Sequence, residues 1–261
     1  MTVVIDRETI IAYLKNLRQE IIASFEALEP EKQFIKTPWN HHSGGGGEMG
    51  VIRGEVFEKA AVNFSAVEGK KLPLQTEEKP FFATGVSLIT HMENPFMPTV
   101  HFNVRFIQTD TTFWFGGGYD LTPMGFPFDE DTLHFHAVAK EATGPYYEQF
   151  KQQAKEYFYI KHRKKERGVG GIFFDHYNTG DFETSFEMMQ KVGDSFLSAI
   201  MPIYDRRIQT PYTASDKEKQ NTFRGHYVEF NLAYDRGTKF GFESGGNTEA
   251  ILCSMPPTAT W

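Results

Sequence analysis

GVSLITHMENPFMPTVHFNVRFIQTDTTFWFGGGYDLTP, residues 85–123, decides the reading of this chain. Within it, Val100 to Ile107 runs V-H-F-N-V-R-F-I, a strict alternation of apolar and polar side chains that predicts a strand with two unlike faces. His101, Asn103 and Arg105 therefore project from one face. Solvated faces of antiparallel sheets are common, but Lys, Glu and Thr usually furnish them. A His-Asn-Arg row beside further histidines instead suits a floor for an anionic, hydrogen-bonding ligand. The segment closes on Phe113-Trp114-Phe115, then Gly116-Gly117-Gly118, Tyr119 and Asp120, which reads as a strand end where backbone approaches something closely.

Upstream, Asp6 to Leu28 repeats apolar residues at helical spacing, with Asp6 placed to cap and Pro30 just beyond the end. Thr37 to Gly50, with His41-His42 and Gly44 to Gly47, reads as a loop. It lacks the Lys-Ser/Thr of a phosphate-binding P-loop. Val51 to Val67 alternates as two strands with a turn near Glu58 or Lys59, and Gly69 to Lys79 is a polar connection. Downstream, Asp129 to Ala142, Tyr146 to His162 and Phe182 to Ile203 show helix patterns. Ile172 to Asp175 is a short buried strand ending in a carboxylate. Gly225 to Leu232 returns to alternation, Asp235-Arg236-Gly237 follows at a strand end, Phe240 to Phe242 extends it, and Gly245-Gly246 turns the chain toward a last strand or helix at Ile251 to Met255. Strands in succession, a group of helices and strands again predict one α+β domain over residues 1–261, an antiparallel sheet with helices on its faces.

Composition narrows the function. Aromatic residues make up 15% of the chain, 25 of them Phe, enough for a sizeable core or a large flat pocket. A formal charge of -7 argues against nucleic acid, since the basic run Lys161 to Arg167 is short and reads as a solvated helix end. Cys253 is the single cysteine, which rules out a disulfide framework within the chain and suits a reducing, cytoplasmic setting. No secretory signal or membrane-length apolar run is expected. No G-x-S-x-G elbow occurs and no G-x-G-x-x-G follows a predicted strand, which argues against a serine hydrolase and a Rossmann site. Among nine histidines, His91, His101, His136 and His162 make a nitrogen-rich metal site only if their segments meet in space. His134 and His136, on a helix, diverge by roughly 200°. Arg105 and Arg236 suit carboxylates, which guanidinium forks bind bidentately.

These segments taken together are recognisable: GGGG (44–47), VFEKA (56–60), GVS (85–87), HFNVR (101–105), WFGGGYDLTP (114–123), HFH (134–136), KHR (161–163), RGVGGIFFD (167–175), YVEFNLAYDRGTKFG (227–241) and EAILCSMPP (249–257). The chain closely resembles the oxygen-dependent coproporphyrinogen III oxidase family from its N-terminal helix to Trp261. The resemblance implies a large, rather flat antiparallel sheet covered by helices. It also implies oxidative decarboxylation of two propionates of coproporphyrinogen III to vinyl groups in haem biosynthesis, with dioxygen consumed and carbon dioxide and hydrogen peroxide released. By the same resemblance, Ser87, Asn103, Val104, Arg105, Gly245, Gly246 and Asn247 contact substrate, and His101 is the proton donor. Asp120, Asp235 and Arg236 hold pyrrole nitrogens and a propionate. His91, His101, His136 and His162 match positions assigned to a divalent metal, manganese being the candidate, although dioxygen alone suffices in other members. Residues 227–261 match a homodimerisation region. Two departures accompany the match. Asn247 stands where an arginine is common, and family members are expected to continue some tens of residues past the tryptophan matching Trp261. The contrasting readings are a porphyrin-binding carrier without turnover and a metal-dependent oxygenase built on the four histidines.

Overall fold

The computed structural model describes residues 6–72 and 80–261. Most of the polar connection expected from Gly69 to Lys79 lies outside the described residues. In chain order the elements are α1 (Arg7–Glu26), β1 (Ile35–Asn40), β2 (Gly45–Ile52), β3 (Phe57–Gly69), β4 (Phe81–Met92), β5 (Thr99–Thr109), β6 (Phe113–Thr122), α2 (Asp129–Thr143), α3 (Tyr147–Tyr157), the two-residue strands β7 (Tyr159–Ile160) and β8 (Lys165–Glu166), β9 (Gly171–Tyr177), α4 (Phe182–Arg207), α5 (Ala214–Ala233), α6 (Arg236–Glu243) and α7 (Thr248–Leu252). Seven strands form one sheet in the order β1-β2-β3-β4-β5-β6-β9, with every neighbouring pair antiparallel. This is the α+β architecture expected, with helices on both faces.

Period-two alternation assigns the two faces. Val62, Phe64, Val86, Leu88, Phe102, Val104 and Phe106 point to one side, where α1 and α4 bury Leu14, Ile21, Phe25, Phe196 and Ile200 against them. Phe102 and Phe196 meet at 4.6 Å. Asp6 caps α1 by accepting from the amides of Glu8 and Thr9, as its position in the sequence implied. On the opposite side, His101, Asn103 and Arg105 face α5, α6 and α7. Helix α3 crosses the outer edge of β9: Phe150 stacks on Phe174 at 4.9 Å and Tyr157 on Phe173 at 4.1 Å, so it touches both faces of that strand. A covered edge offers no template for pairing with another chain.

Five expectations change. The turn after β2 falls at 53–56, and Glu58 and Lys59 lie inside β3. The physical cause is remote in sequence: the buried Glu29 carboxylate accepts from the amides of Glu55, Val56 and Phe57 at 3.0, 2.6 and 2.6 Å and fixes the turn there. Gly45 to Gly47 are strand rather than loop, all three paired with β3 and the last two also with β1, and the indole of Trp39 lies against Gly47. Gly225 to Leu232 is the second half of α5, not a strand. Its Tyr, Val and Phe favour strands intrinsically, but a capping box at Thr213 and Asp216 starts a helix whose Tyr227, Phe230 and Asn231 are buried against the sheet. Phe240 to Phe242 is helical for a related reason, since Asp235 caps α6. The helix expected to reach His162 stops at Tyr157, where β7 and β8 pair.

The triple glycine also lies in mid-strand rather than at a strand end. Gly118 has φ 137°, and a β-carbon there would sit 2.0 Å from the carbonyl oxygen of Ile172 on β9. Gly118→Ala is expected to lower unfolding free energy by about 3 kcal/mol or more, because backbone on the neighbouring strand cannot yield as a flexible side chain would. Urea denaturation followed by circular dichroism checks this, and a loss below about 1 kcal/mol would refute the close β6–β9 contact.

Candidate active site

Beneath α5–α7 the sheet leaves a cavity of ≈ 710 Å³, a size suited to a cofactor-sized ligand. Its floor comes from β3, β4 and β5, through Asn63, Ser87, His101, Asn103 and Arg105. Its far wall comes from Asp235, Arg236, Gly246 and Asn247. One end is apolar, with Trp114, Ile107, Ala83 and Phe81 packed beside Trp39 and Phe240. The charges begin beside it, where His176 stacks on Trp114, and run to the opposite end.

At the charged end, Asp120 is the centre of a buried network. Arg167 donates to both its oxygens, at 3.1 Å from Nε and 2.6 Å from Nη2. His101 Nδ1 lies 3.0 Å from Oδ1. Burial raises the Asp120 pKa, but Arg167 and His101 more than offset it, so the carboxyl stays below its ordinary range. Arg167 also donates to Asn231 of α5 at 3.0 Å and packs against the rings of Phe158, Tyr227 and Phe230. Asp120 does not line the cavity, whereas His101 does. A ring that gives Nδ1–H to a carboxylate behind it presents Nε2 on the other side.

Asp235 has a different setting. Its Oδ2 accepts from the amide and hydroxyl of Thr238 at 2.7 and 2.8 Å, and its Oδ1 accepts from the Tyr157 hydroxyl at 2.8 Å. A carboxylate offers about four lone-pair positions, so one remains for a ligand. Burial raises its pKa, while His101 and these donors bring it below the ordinary value; the same burial and the Asp235 charge push the Tyr157 hydroxyl well up.

The arginines converge on a residue the sequence reading left outside the site. Arg105 reaches across β6 to place Nη2 2.9 Å from Asp175 on β9, while its Nη1 donates to Asn103 at 2.9 Å. The residue beneath its path is Gly116, paired with Arg105 in register. A β-carbon at 116 would come within 2.9 Å of the guanidinium, which accounts for glycine there. Arg236 approaches the same carboxylate at 3.6 Å and packs over Tyr157.

The remaining expected residues divide. Ser87 lines the floor; Val104 points its side chain into the core on the other face. Gly246 and Asn247 line the wall, and Gly245 packs on His42. The Asn247 side chain accepts from Ala250 as the cap of α7. The four histidines proposed for a metal do not form a ligand set as arranged. His91 is buried and bonded to the Ser254 carbonyl. His136 is held between the Tyr147 hydroxyl and the Val169 carbonyl, and His162 between the Tyr234 hydroxyl and Glu229. Both ring nitrogens of His136 and His162 are therefore engaged. Among the described residues, no group of three or more His, Cys, Asp or Glu is placed to hold a metal ion. Arg167 and Asp175 were missed. Arg167 lay in a basic run read as solvated, yet it is buried. The signal for Asp175 was the carboxylate closing the buried Ile172-Phe173-Phe174 strand.

The family model described as Coproporphyrinogen III oxidase matches residues 9–261. The chain is 46% identical to the oxygen-dependent coproporphyrinogen-III oxidase of Rickettsia bellii (strain OSU 85-389) over 98% of each chain. It is also 46% identical to that of Rickettsia peacockii (strain Rustic) over 97% of each, and 47% identical to that of Rickettsia akari (strain Hartford) over 94% of each.

A depressed aspartate pKa stabilises the fold above the unfolded value, and the gain is lost as pH falls toward the folded one. For Asp120 the contribution is therefore complete above its ordinary pKa of 3.8 and declines below it. Asp120→Asn is expected to flatten the acid limb of the stability curve below that point by roughly 1.4 kcal/mol per pH unit, one proton's worth. Denaturant unfolding at stepped pH checks this, and an unchanged limb would contradict the Asp120–Arg167 assignment.

Proposed function

The chain belongs to the coproporphyrinogen III oxidase family, and from that premise we propose that it converts coproporphyrinogen III to protoporphyrinogen IX with dioxygen as oxidant. Each of two propionates loses its carboxylate as carbon dioxide and a hydride equivalent from the carbon next to the ring. Dioxygen takes up that hydride and a proton and leaves as hydrogen peroxide, and a vinyl group remains. The observation that carries this reading is the placing of Arg105 and Arg236 at one end of a cavity whose floor also presents His101 and Asn103, with Asp235 opposite. A flat tetracarboxylate needs an aromatic-walled space, cations for its carboxylates and acceptors for its pyrrole N–H groups.

Roles follow from the geometry. Asp235 lines the cavity with one acceptor position free, and it takes a pyrrole N–H. Electron density pushed into the ring by that acceptor favours attack by dioxygen. Asp120 acts through His101, fixing the ring so that Nε2 handles a proton at the substrate. Arg105 and Arg236 hold the reacting propionate, while Ser87, Asn103 and the main chain at Gly246 complete the floor and wall. No step is assigned to a metal. The divalent-metal reading requires His91, His101, His136 and His162 to regroup from the partners they have. In this proposal residues 1–261 act as one domain. Two copies associate through residues 227–261, where Leu232, Phe242 and Trp261 stand exposed. The setting is cytoplasmic, which one free cysteine suits. No described helix is long and apolar enough to cross a membrane.

Freshly reduced coproporphyrinogen III incubated with the protein in air is expected to give protoporphyrin fluorescence that disappears under nitrogen and survives a strong chelator. Loss of signal with the chelator would restore the histidine metal site. Arg236→Ala separates an enzyme from a carrier: kcat/KM is expected to fall by about a hundredfold, while affinity for a porphyrin weakens by about tenfold. Parallel losses with no turnover in the unsubstituted protein would support the carrier.

A further inference from the structure

We propose that Asp175 is an internal stand-in for the substrate carboxylate, occupying the Arg105–Arg236 subsite in the free protein and tempering its hold on a propionate. The inference rests on the porphyrinogen reading above and concerns the same cavity. Asp175 lies two residues before the end of β9 and keeps only 19% of its side chain exposed. One oxygen meets Arg105 at 2.9 Å and the other faces Arg236 at 3.6 Å. A third basic group adjoins them: His176 Nδ1 lies 3.6 Å from Asp175, and its ring stacks on Trp114 at 5.1 Å. His176 adopts φ 53°, a strained backbone position for a non-glycine residue. Arg236 keeps 53% of its side chain exposed, and its guanidinium hydrogen-bonds no described residue, so its donors are open toward the cavity. Arg105, by contrast, is held on both sides, by Asn103 and by Asp175.

The charges on these groups decide what a ligand meets. Two guanidiniums face one carboxylate, which the two cations keep ionised against the effect of burial. An entering propionate is attracted by both arginines and repelled by Asp175, so it is steered toward the open donors of Arg236. The repulsion limits ground-state affinity. When the carboxylate departs as carbon dioxide, Asp175 again balances Arg105, and the neutral vinyl product finds no unpaired cation beside it. Asp175 is thus a positioning residue that sets how tightly one carboxylate is held.

The test uses Asp175→Asn, with coproporphyrin III as a tetracarboxylate ligand that is not turned over and binding read by fluorescence quenching. The Kd is expected to fall about three- to tenfold, the effect of removing one like charge at a partly exposed site, and its salt dependence to steepen. KM for coproporphyrinogen III falls with it, and kcat does not rise. A variant that folds as the parent does, by circular dichroism and thermal melting, but binds porphyrin no more tightly would overturn the proposal, because a merely structural aspartate predicts equal or weaker binding. If Asp175→Asn does not fold, R105Q and the double variant R105Q/D175N, which removes the uncompensated Arg105 guanidinium beside β9, carry the same comparison, with tighter binding again expected from the double. Turnover by the parent protein in air is measured alongside. Its failure sinks the functional reading, whereas parent turnover with unchanged Kd in the variant sinks only the role of Asp175.

Discussion

The bidentate ion pair between Asp120 and Arg167 joins the floor of the cavity to its roof. Asp120 lies on β6 in the plane of the sheet, Arg167 sits in the connection entering β9, and Asn231 belongs to α5 above them. An isolated charge so deeply buried would be very costly, and a pair without its other hydrogen bonds scarcely less so. Here the guanidinium has carboxylate, amide and three aromatic rings around it, and the carboxylate has guanidinium and imidazole. The arrangement is self-consistent only when sheet and helices are together. The position of α5, and with it the height of the cavity, is tied to the orientation of His101.

The polar floor follows from strand geometry. On β5 the alternation that buries Phe102, Val104 and Phe106 under α4 necessarily raises His101, Asn103 and Arg105 on the other side. Small residues on β6 then let side chains of β5 travel sideways. Arg105 crosses above Gly116 to Asp175, linking β5 with β9 over an intervening strand. Helix α3 completes the enclosure, since Tyr157 stacks on Phe173 below and donates to Asp235 above.

Much of this was legible in the sequence because period-two alternation and helix periodicity are local signals. The floor residues of β5, the first helix with its Asp6 cap, and the antiparallel sheet could all be read from spacing. The roof could not. Residues 225–232 have strand-forming side chains, and the distant capping box together with burial of Tyr227 and Phe230 against the sheet makes the helix the better solution. The turn at 53–56 depends on Glu29, more than twenty residues earlier in the chain. Arg167 was read from its basic neighbours, although its partner Asp120 is 47 positions away. Long-range pairing of charges leaves no local pattern, so the partners of Arg167 and Asp175 are defined only by the assembled sheet. The resemblance named the chemistry but carried the four histidines along as a group, and each of those rings has found its own partners.

The most direct measurement is a crystal structure of the protein with coproporphyrin III bound. The account predicts the macrocycle above Asn103 and His101, with one propionate at the guanidiniums of Arg105 and Arg236 and a pyrrole N–H pointing to Asp235. A porphyrin seated outside the cavity, or inside it with every propionate turned away from both arginines, would contradict the account at its centre.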